Sequence, residues 1–338
     1  MKMNNGKNDL LANRQGGLQA LVKYFLLIAL VVVAIVFGIA RPEFFALTNL
    51  MNILRTASVL GILTLSMTTV MTTGDMNFAI GVQATIAGAI VGRLMASDTF
   101  NFYPLAVAVA IGASVLIGAI TAFFVIHLRV PAFIGTLALQ IILQGFAKRL
   151  TDNKTLFSDK WTESYTAIGQ GFVFEVVPIP VIIFVVVAIV MWIYTEKTRS
   201  GRYLFALGAN STACLNMGIK IRKEKLKAYL ISGVLAGMVG VIQTSISCNV
   251  SLTLGSDMLL PAISGTMLGA TFLTPGKYNV AGSVVAALLL VLVQNGVMSL
   301  GGSLYVKDIF QGAILMVAMG IIAKVRKEGL PSVKFDNG

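Results

Sequence analysis

Pro178-Ile-Pro-Val-Ile-Ile-Phe-Val-Val-Val-Ala-Ile-Val-Met-Trp-Ile-Tyr194 runs straight into Thr195-Glu-Lys-Thr-Arg-Ser-Gly-Arg202. The first stretch carries no charge, and the second carries four charged residues in eight. Taken back to Phe172, with Glu175 its only charged residue, the apolar run covers residues 172–194. A run of about 20 apolar residues matches the ~30 Å hydrocarbon thickness of a bilayer. This run is also apolar on every face, whereas a helix on the surface of a soluble domain keeps a polar one. The reading is a membrane-spanning helix that ends at a basic loop. Lys and Arg concentrate on the cytoplasmic side of a membrane, so the loop marks the inside.

The same signal recurs on both sides of it. Upstream, apolar runs cover 21–40, 57–73, 78–95, 103–125 and 131–147; downstream they cover 228–245, 258–272, 280–297 and 306–323. With 172–194 these make ten spans and an all-α, polytopic transmembrane helical bundle. Runs 57–73 and 258–272 are short and bounded by tight turns, and either also reads as re-entrant, so the span count is eight to ten. With the N-terminus inside, the inner segments hold 18 Lys and Arg and the outer ones 8, which predicts both termini inside. The chain then divides into a cytoplasmic N-terminal tail (1–20), a transmembrane domain (21–323) and a cytoplasmic C-terminal tail (324–338). Within the domain, 148–171 is an outer loop and 195–227 an inner one. No small-residue cleavage motif stands out after the first run, which reads as a retained span.

Composition agrees. Of the 338 residues 57% are hydrophobic and 12% charged, where a soluble domain carries about 25% charged. A net charge of +12 would suggest nucleic acid in a soluble protein. Here the charges follow the inner segments, so the expected partner is membrane lipid and not nucleic acid. Cys214 and Cys248 fall on segments assigned to opposite sides and are not expected to pair.

Catalytic chemistry has little to work with. The one histidine, His127, sits beside Arg129 at a predicted inner edge and reads as interfacial. No Gly-x-x-x-x-Gly-Lys-Ser/Thr loop cradles phosphates; near Gly276-Lys277 the earlier glycine and the following hydroxyl are missing. No His-Glu-x-x-His and no Cys/His cluster has metal-ligand spacing. The chain is therefore not expected to be an enzyme or to bind a cofactor or metal. Its acids fall at predicted ends or in loops and none is mid-span, which argues against a proton relay and for an energy source outside the chain.

The polar groups within spans are neutral: Asn77, Gln83, Gln140, Gln144, Gln243, Gln294 and Asn295. An amide in lipid is costly unless paired, so each either ties helices together or lines a path for a hydroxylated solute. The path candidates are Asn77, Gln83, Gln140, Gln243 and Asn295, with Pro261. Asn77 stands first because it lies in a break between two spans. Gly233 with Gly237 and Gly265 with Gly269 have the four-residue spacing that lets helices approach closely, within one subunit or between two.

In the inner loop, Asn210 and Ser211 suit a helix N-cap. Residues 212–217 would form a short helix, Gly218 its cap, and Ile219 opens a basic run to Lys227. Such a helix, held along the membrane between charged flanks, is a docking element for a cytosolic partner; a solvated basic loop is the other reading.

These residues resemble the permease subunits of bacterial ATP-binding-cassette importers for ribose, galactose, xylose and related sugars, in the branched-chain amino acid/monosaccharide permease superfamily. The similarity runs from about 44 to 322. Pro42, Phe44 or Phe45, Asn49, Asn52 and Arg55 match P-x-F-x-x-x-x-N-x-x-N-x-L-R. Residues 74–81, GDMNFAIG, stand where the family has G-G-I-D-L-S-V-G, and 130–137, VPAFIGTL, meet V-P-x-F-I-x-T-L. Gly201, Arg202, Ala206, Gly208, Asn210, Ala213, Gly218 and Ile219 meet G-R-x-x-x-A-x-G-x-N-x-x-A-A-x-x-x-G-I. The resemblance implies a coupling helix that fits a cleft on an ATPase subunit, with Gly208, Asn210, Ser211, Thr212, Ala213, Cys214, Gly218 and Ile219 at the contact. It implies ATP and magnesium on that cytosolic subunit and a periplasmic or lipid-anchored substrate-binding protein. It also implies a second permease subunit, identical or homologous, in the bacterial inner membrane. Departures fall near the pathway: Asn77 replaces the motif aspartate, Ala79 a serine, Asp75 the second glycine, and Pro261 a later aspartate. The implied cargo is a monosaccharide or similar small polar solute. An autoinducer sugar or nucleoside, or a stand-alone secondary carrier, is the alternative.

Overall fold

The computed structural model describes residues 24–96, 102–157, 161–274 and 276–302, with isolated positions between 305 and 320. Apart from turns and four two-residue strands, the described residues are helical. Five helices are long and apolar enough to cross a membrane: α2 (Leu47–Met71), α4 (Tyr103–Ile126), α7 (Ile179–Trp192) with its π-helical extension to Lys197, α10 (Ile221–Ser247) and α12 (Val280–Ser299). The shorter apolar helices α1 (Tyr24–Ala40) and α3 (Ile80–Ala96) join them, as do α5 (Ala132–Leu150) and α11 (Leu254–Gly269).

At the centre stands α2, whose residues are buried without interruption from Ala57 to Met71. It packs against α7, α10, α11 and α12. Its buried hydroxyls are satisfied locally: Ser58, Thr64, Thr68 and Thr69 each donate to the carbonyl four residues earlier at 2.7–2.8 Å. They also reach across. Ser66 and Ser232 lie 2.8 Å apart, Thr68 and Ser283 2.7 Å, and Thr266 donates to the Thr64 carbonyl at 3.1 Å. Lipid provides no hydrophobic drive between helices, so close packing and such hydrogen bonds hold a bundle together. The glycine pairs serve that packing within the subunit: Gly233 and Gly237 lie against Ser114 of α4, Gly265 against Thr64, and Gly269 against Gly282 and Ser283. Around this centre α1, α4, α5 and α7 turn apolar side chains outward, among them Ile39, Leu116, Ile141 and Val190, each more than half exposed. Soluble monomers do not carry apolar surface on this scale.

The expected runs and the helices differ in places. Residues 172–178 are not helical. They form a hairpin of β2 (Phe172–Val173) and β3 (Val177–Pro178), turned by Phe174 and Glu175 at φ +54° and +60°. Helix α7 starts only at Ile179, where Pro178 as cap and Pro180 in the first turn cost nothing because early helix N–H groups lack partners anyway. Helix α2 starts at Leu47, ten residues before the expected run, with the preceding 3-10 turn Pro42–Phe45 held by an Asn49 Nδ2 bond to the Phe44 carbonyl at 2.8 Å. The run at 258–272 becomes α11, with Pro261 inside it; at 16 residues it is about 24 Å long. The tails 1–20 and 324–338 lie outside the described residues, as does most of 306–323.

Residues 148–157 and 161–171 pack onto one end of the bundle. There β1 (Leu156–Phe157) pairs with β4 (Asn249–Val250), and α6 (Glu163–Gln170) sends Tyr165 Oη to the Val241 carbonyl at 3.1 Å. The Trp161 indole N–H donates to the Gly92 carbonyl at 3.2 Å. Cys248 sits at this end of α10 and Cys214 beyond its other end, with the 27 residues of α10 between them, about 40 Å.

Candidate functional site

At the end opposite α6 the chain brings together three segments that are far apart in sequence. The first is the break between α2 and α3. Thr72 and Thr73 turn their hydroxyls onto the Thr69 and Val70 carbonyls, and Gly74 adopts φ +86°, a left-handed conformation that glycine takes without strain. Asn77 is fully buried; its Oδ1 accepts the Ala79 N–H at 3.0 Å and so organises the start of α3. Thr136 of α5 accepts the Phe78 N–H at 3.1 Å from the other side.

The second segment is α8 (Arg199–Ala209) and α9 (Ser211–Asn216). Thr198 caps α8 by accepting the Gly201 N–H at 3.1 Å, and Asn210 caps α9 by accepting the Ala213 N–H at 2.9 Å. Gly218, at φ +75°, closes α9: its own N–H meets the Leu215 carbonyl at 2.9 Å and the Ile219 N–H meets Cys214 at 3.0 Å. That is the paired-bond ending glycine makes at helix C-termini. The short helix expected from Asn210 and Gly218 is thus present, starting one residue earlier than expected. Asn210, Ser211, Thr212, Ala213 and Gly218 are exposed. Cys214 is buried and Ile219 half-buried, so these two seat the helix rather than offer a surface. Leu215 and Met217 are 63% and 68% exposed. Sequence reasoning passed over them, although two apolar residues on a short polar helix signal contact. Gly208 lies flat against the break: a Cβ there would run into the Thr72 carbonyl.

The third segment is the start of α10. Lys225 Nζ lies 2.8 Å from both carboxylate oxygens of Asp75, and Tyr229 Oη donates to one of them at 3.4 Å. Glu224, buried, accepts from the Ser200 hydroxyl of α8 and from Lys227 Nζ at 2.7 Å. None of these ties was anticipated, because Asp75 and Lys225 stand 150 residues apart.

The amides separate into two kinds. Gln144 donates to the Leu252 carbonyl at 3.3 Å and ties α5 to the turn before α11. Gln83 is fully buried, yet neither its Nε2 nor its Oε1 has a protein partner; Asn77 Nδ2, Gln140 Oε1 and Asn295 Oδ1 are likewise buried and unmatched. Asn77 and Gln83 stand on or beside α3 and Gln140 on the adjoining α5, one turn beyond Thr136. Gln243, Pro261 and Asn295 fall on α10, α11 and α12, and no hydrogen bond joins any two of the six.

Residues 49–319 match the family model for the branched-chain amino acid transport system / permease component. The chain belongs to this family. The permease is similar to the ribose import permease protein RbsC of Escherichia coli (strain K12), with 32% identity over 295 residues, 87% of this chain and 91% of that protein. The ribose import permease protein of Bacillus subtilis (strain 168) is 27% identical over 292 residues, 86% and 90% of the two chains. The D-allose transport system permease protein AlsC of Escherichia coli (strain K12) is 25% identical over 309 residues, 90% and 93%. No solved structure matches the permease.

A multi-pass permease of the bacterial inner membrane needs surfaces and a path rather than a nucleophile. Among the described residues no group of three or more His, Cys, Asp or Glu gathers as a metal site. His127 stacks on Phe123, ring centres 5.2 Å apart, at the end of α4. Next to it a groove of about 610 Å³ opens between α4, α9 and α10, with Val125, Ile126 and Leu215 among its apolar lining and Arg129, Lys220 and Arg222 among its basic lining. Beside α9 the surface is therefore apolar, edged by basic residues.

Proposed function

We propose that this permease is the membrane-spanning subunit of an ATP-driven importer for a monosaccharide or similar small polar solute. The observation that carries this reading is the α8–α9 unit: a capped helix presenting Leu215 and Met217, rigidly seated on the bundle and bordered by Lys and Arg. It has the shape and chemistry of a docking element for a cytosolic ATPase, which would hold the ATP and magnesium. The docking residues are Gly208, Asn210, Ser211, Thr212, Ala213, Gly218 and Ile219, with Leu215 and Met217 added and Cys214 as an inner anchor. The unmatched amides of Asn77, Gln83, Gln140 and Asn295 support a path for a solute rich in hydroxyls, with Gln243 and Pro261 along it. A substrate-binding protein would deliver the solute, and a second permease subunit would complete the pore. In this reading the chain makes eight to ten spans with both termini inside, residues 195–227 face the cytosol and 148–171 the outside. The sugars named for the relatives make ribose and allose the first solutes to test.

The test is co-purification of the permease with its ATPase, and uptake of labelled ribose and allose, for the intact chain and for Leu215→Asp with Met217→Asp. Recovery of the ATPase with the intact chain and its loss with the double variant is the expected result. Uptake that persists with no ATPase bound to the intact chain would replace this reading with a secondary carrier.

A further inference from the structure

Two ties converge on residues 72–77, and a third joins the two elements they come from. Gly208 of α8 lies against the backbone of Thr72 and Gly74. Lys225 of α10 grips Asp75 through both carboxylate oxygens at 2.8 Å, with the two side chains only 13% and 21% exposed. Ser200, Glu224 and Lys227 lock the start of α8 to the start of α10, Lys227 reaching the Ser200 hydroxyl at 3.1 Å. The Asp75 pair gives the break a directed, charge-assisted bond, which Tyr229 Oη supplements at 3.4 Å; the contact at Gly208 is packing without direction. A partly buried pair is screened less by salt than an exposed one, and two short bonds to one carboxylate fix orientation as well as distance. Asp75 is also where residues 74–81 depart from the G-G-I-D-L-S-V-G pattern they resemble. Two residues on, Asn77 organises the first turn of α3 while its Nδ2 has no protein partner.

We propose that Asp75 and Lys225 are positioning residues that make the α8–α9 unit, the start of α10 and the α2–α3 break move as one body. Displacement of the docking helix is thereby delivered to Asn77 and the first turn of α3. The coupling rests on the reading of α8–α9 as the ATPase-docking element. It needs no solute contact from Asp75 or Lys225 themselves.

The test follows amide hydrogen exchange in the assembled transporter, permease with its ATPase subunit, with and without a non-hydrolysable ATP analogue. In the intact chain the analogue is expected to change exchange both over α8–α9 and over residues 72–79. In Asp75→Asn and in Lys225→Met the change over 72–79 is expected to fall about fivefold or more while that over α8–α9 persists; fivefold is the low end of coupling between two sites. The charge swap, Asp75→Lys with Lys225→Asp, is expected to recover it. An unaltered response over 72–79 in Asp75→Asn overturns the proposal, and so does a swap that stays as uncoupled as the single variants. If α8–α9 of the intact chain gains no protection from the ATPase, the docking reading itself fails, which is a different result from losing the response at 72–79 alone.

Discussion

Gln83→Met separates the two uses of a buried amide. Gln83 is fully buried on α3, with neither end of its amide bonded to protein. Each unmatched buried polar group costs about 1–3 kcal/mol. Interhelical hydrogen bonds in membranes measure lower, about 0.6 kcal/mol on average, so ~1 kcal/mol per amide atom and ~2 kcal/mol in all is a reasonable sum. Methionine fills nearly the same volume with an adaptable, apolar chain, so the substitution removes that cost without opening a cavity. A gain of ~2 kcal/mol raises the thermal midpoint by about 3–6 °C for a chain of this size. Gln144→Met is the counter-case: Gln144 gives up a 3.3 Å bond to the Leu252 carbonyl, and the midpoint is expected to fall. The midpoints are read by heating detergent-purified permease and measuring the fraction that still elutes as a single species, and uptake is measured in parallel on proteoliposomes. Gln83→Met is expected to be more stable and at least about tenfold slower in uptake, a loss of ~1.4 kcal/mol at the transition state. A lower midpoint would show that the native amide is already satisfied. An unchanged uptake rate would show that it does not meet the solute. Either result refutes the reasoning.

Gly208→Val pushes a branched side chain into the Thr72 carbonyl; overpacking of this kind costs about 1–3 kcal/mol, and the recovery of ATPase by pull-down should fall with little change in the amount of permease in the membrane. Gly218 has φ +75° but open space around it, so Gly218→Ala should weaken ATPase recovery through backbone strain of about 1 kcal/mol, and Gly218→Asn, which tolerates that conformation, should weaken it less. Tyr165→Phe loses the bond to the Val241 carbonyl, about 1 kcal/mol at neutral pH. Burial pushes the Tyr165 phenol above its ordinary value. The folded state therefore keeps a proton that the unfolded chain releases above pH ~10, and the stabilisation is present below that pH and lost above it. The stability of the intact chain should consequently drop more steeply above pH ~10 than that of Tyr165→Phe in a pH series of thermal midpoints.

The sequence reveals what is local in cause and hides what is not. Apolar runs announce helices in lipid because nothing else satisfies the backbone there, and α4, α5 and α12 fall where their runs do, while α10 starts at Ile221, seven residues before its run. The same signal misleads at 172–178, where Phe and Val suit a strand as well as a helix and hydropathy cannot tell them apart. It also stops short at Asn49, Asn52 and Arg55, polar residues that α2 nevertheless includes in its partly exposed first turns. Helix α9 was legible because Asn210 and Gly218 act on their own neighbours through caps. Asp75 was visible only as a departure from a pattern, since its partner lies 150 residues away. The amides were legible as residues to watch but not as to role; only packing distinguishes Gln144, which is bonded, from Gln83, which is not.

The strengths of the ties say where this permease can rearrange. In the middle of the bundle α2 meets α10, α11 and α12 through neutral hydroxyl pairs and through faces of glycine and serine. Each such bond contributes little in lipid, and a partner that slides by one turn meets another hydroxyl, since Thr64, Thr68 and Thr72 repeat at four-residue spacing along α2. At the end near α8 the ties are charged and directional: Lys225 Nζ meets Asp75 at 2.8 Å and Lys227 Nζ meets Glu224 at 2.7 Å. A bundle built this way yields in its core and holds at the end that carries α8. On the proposed reading of α8–α9 as a docking element, motion of a bound ATPase would be passed to the break, while the helices beyond it stay free to move past one another.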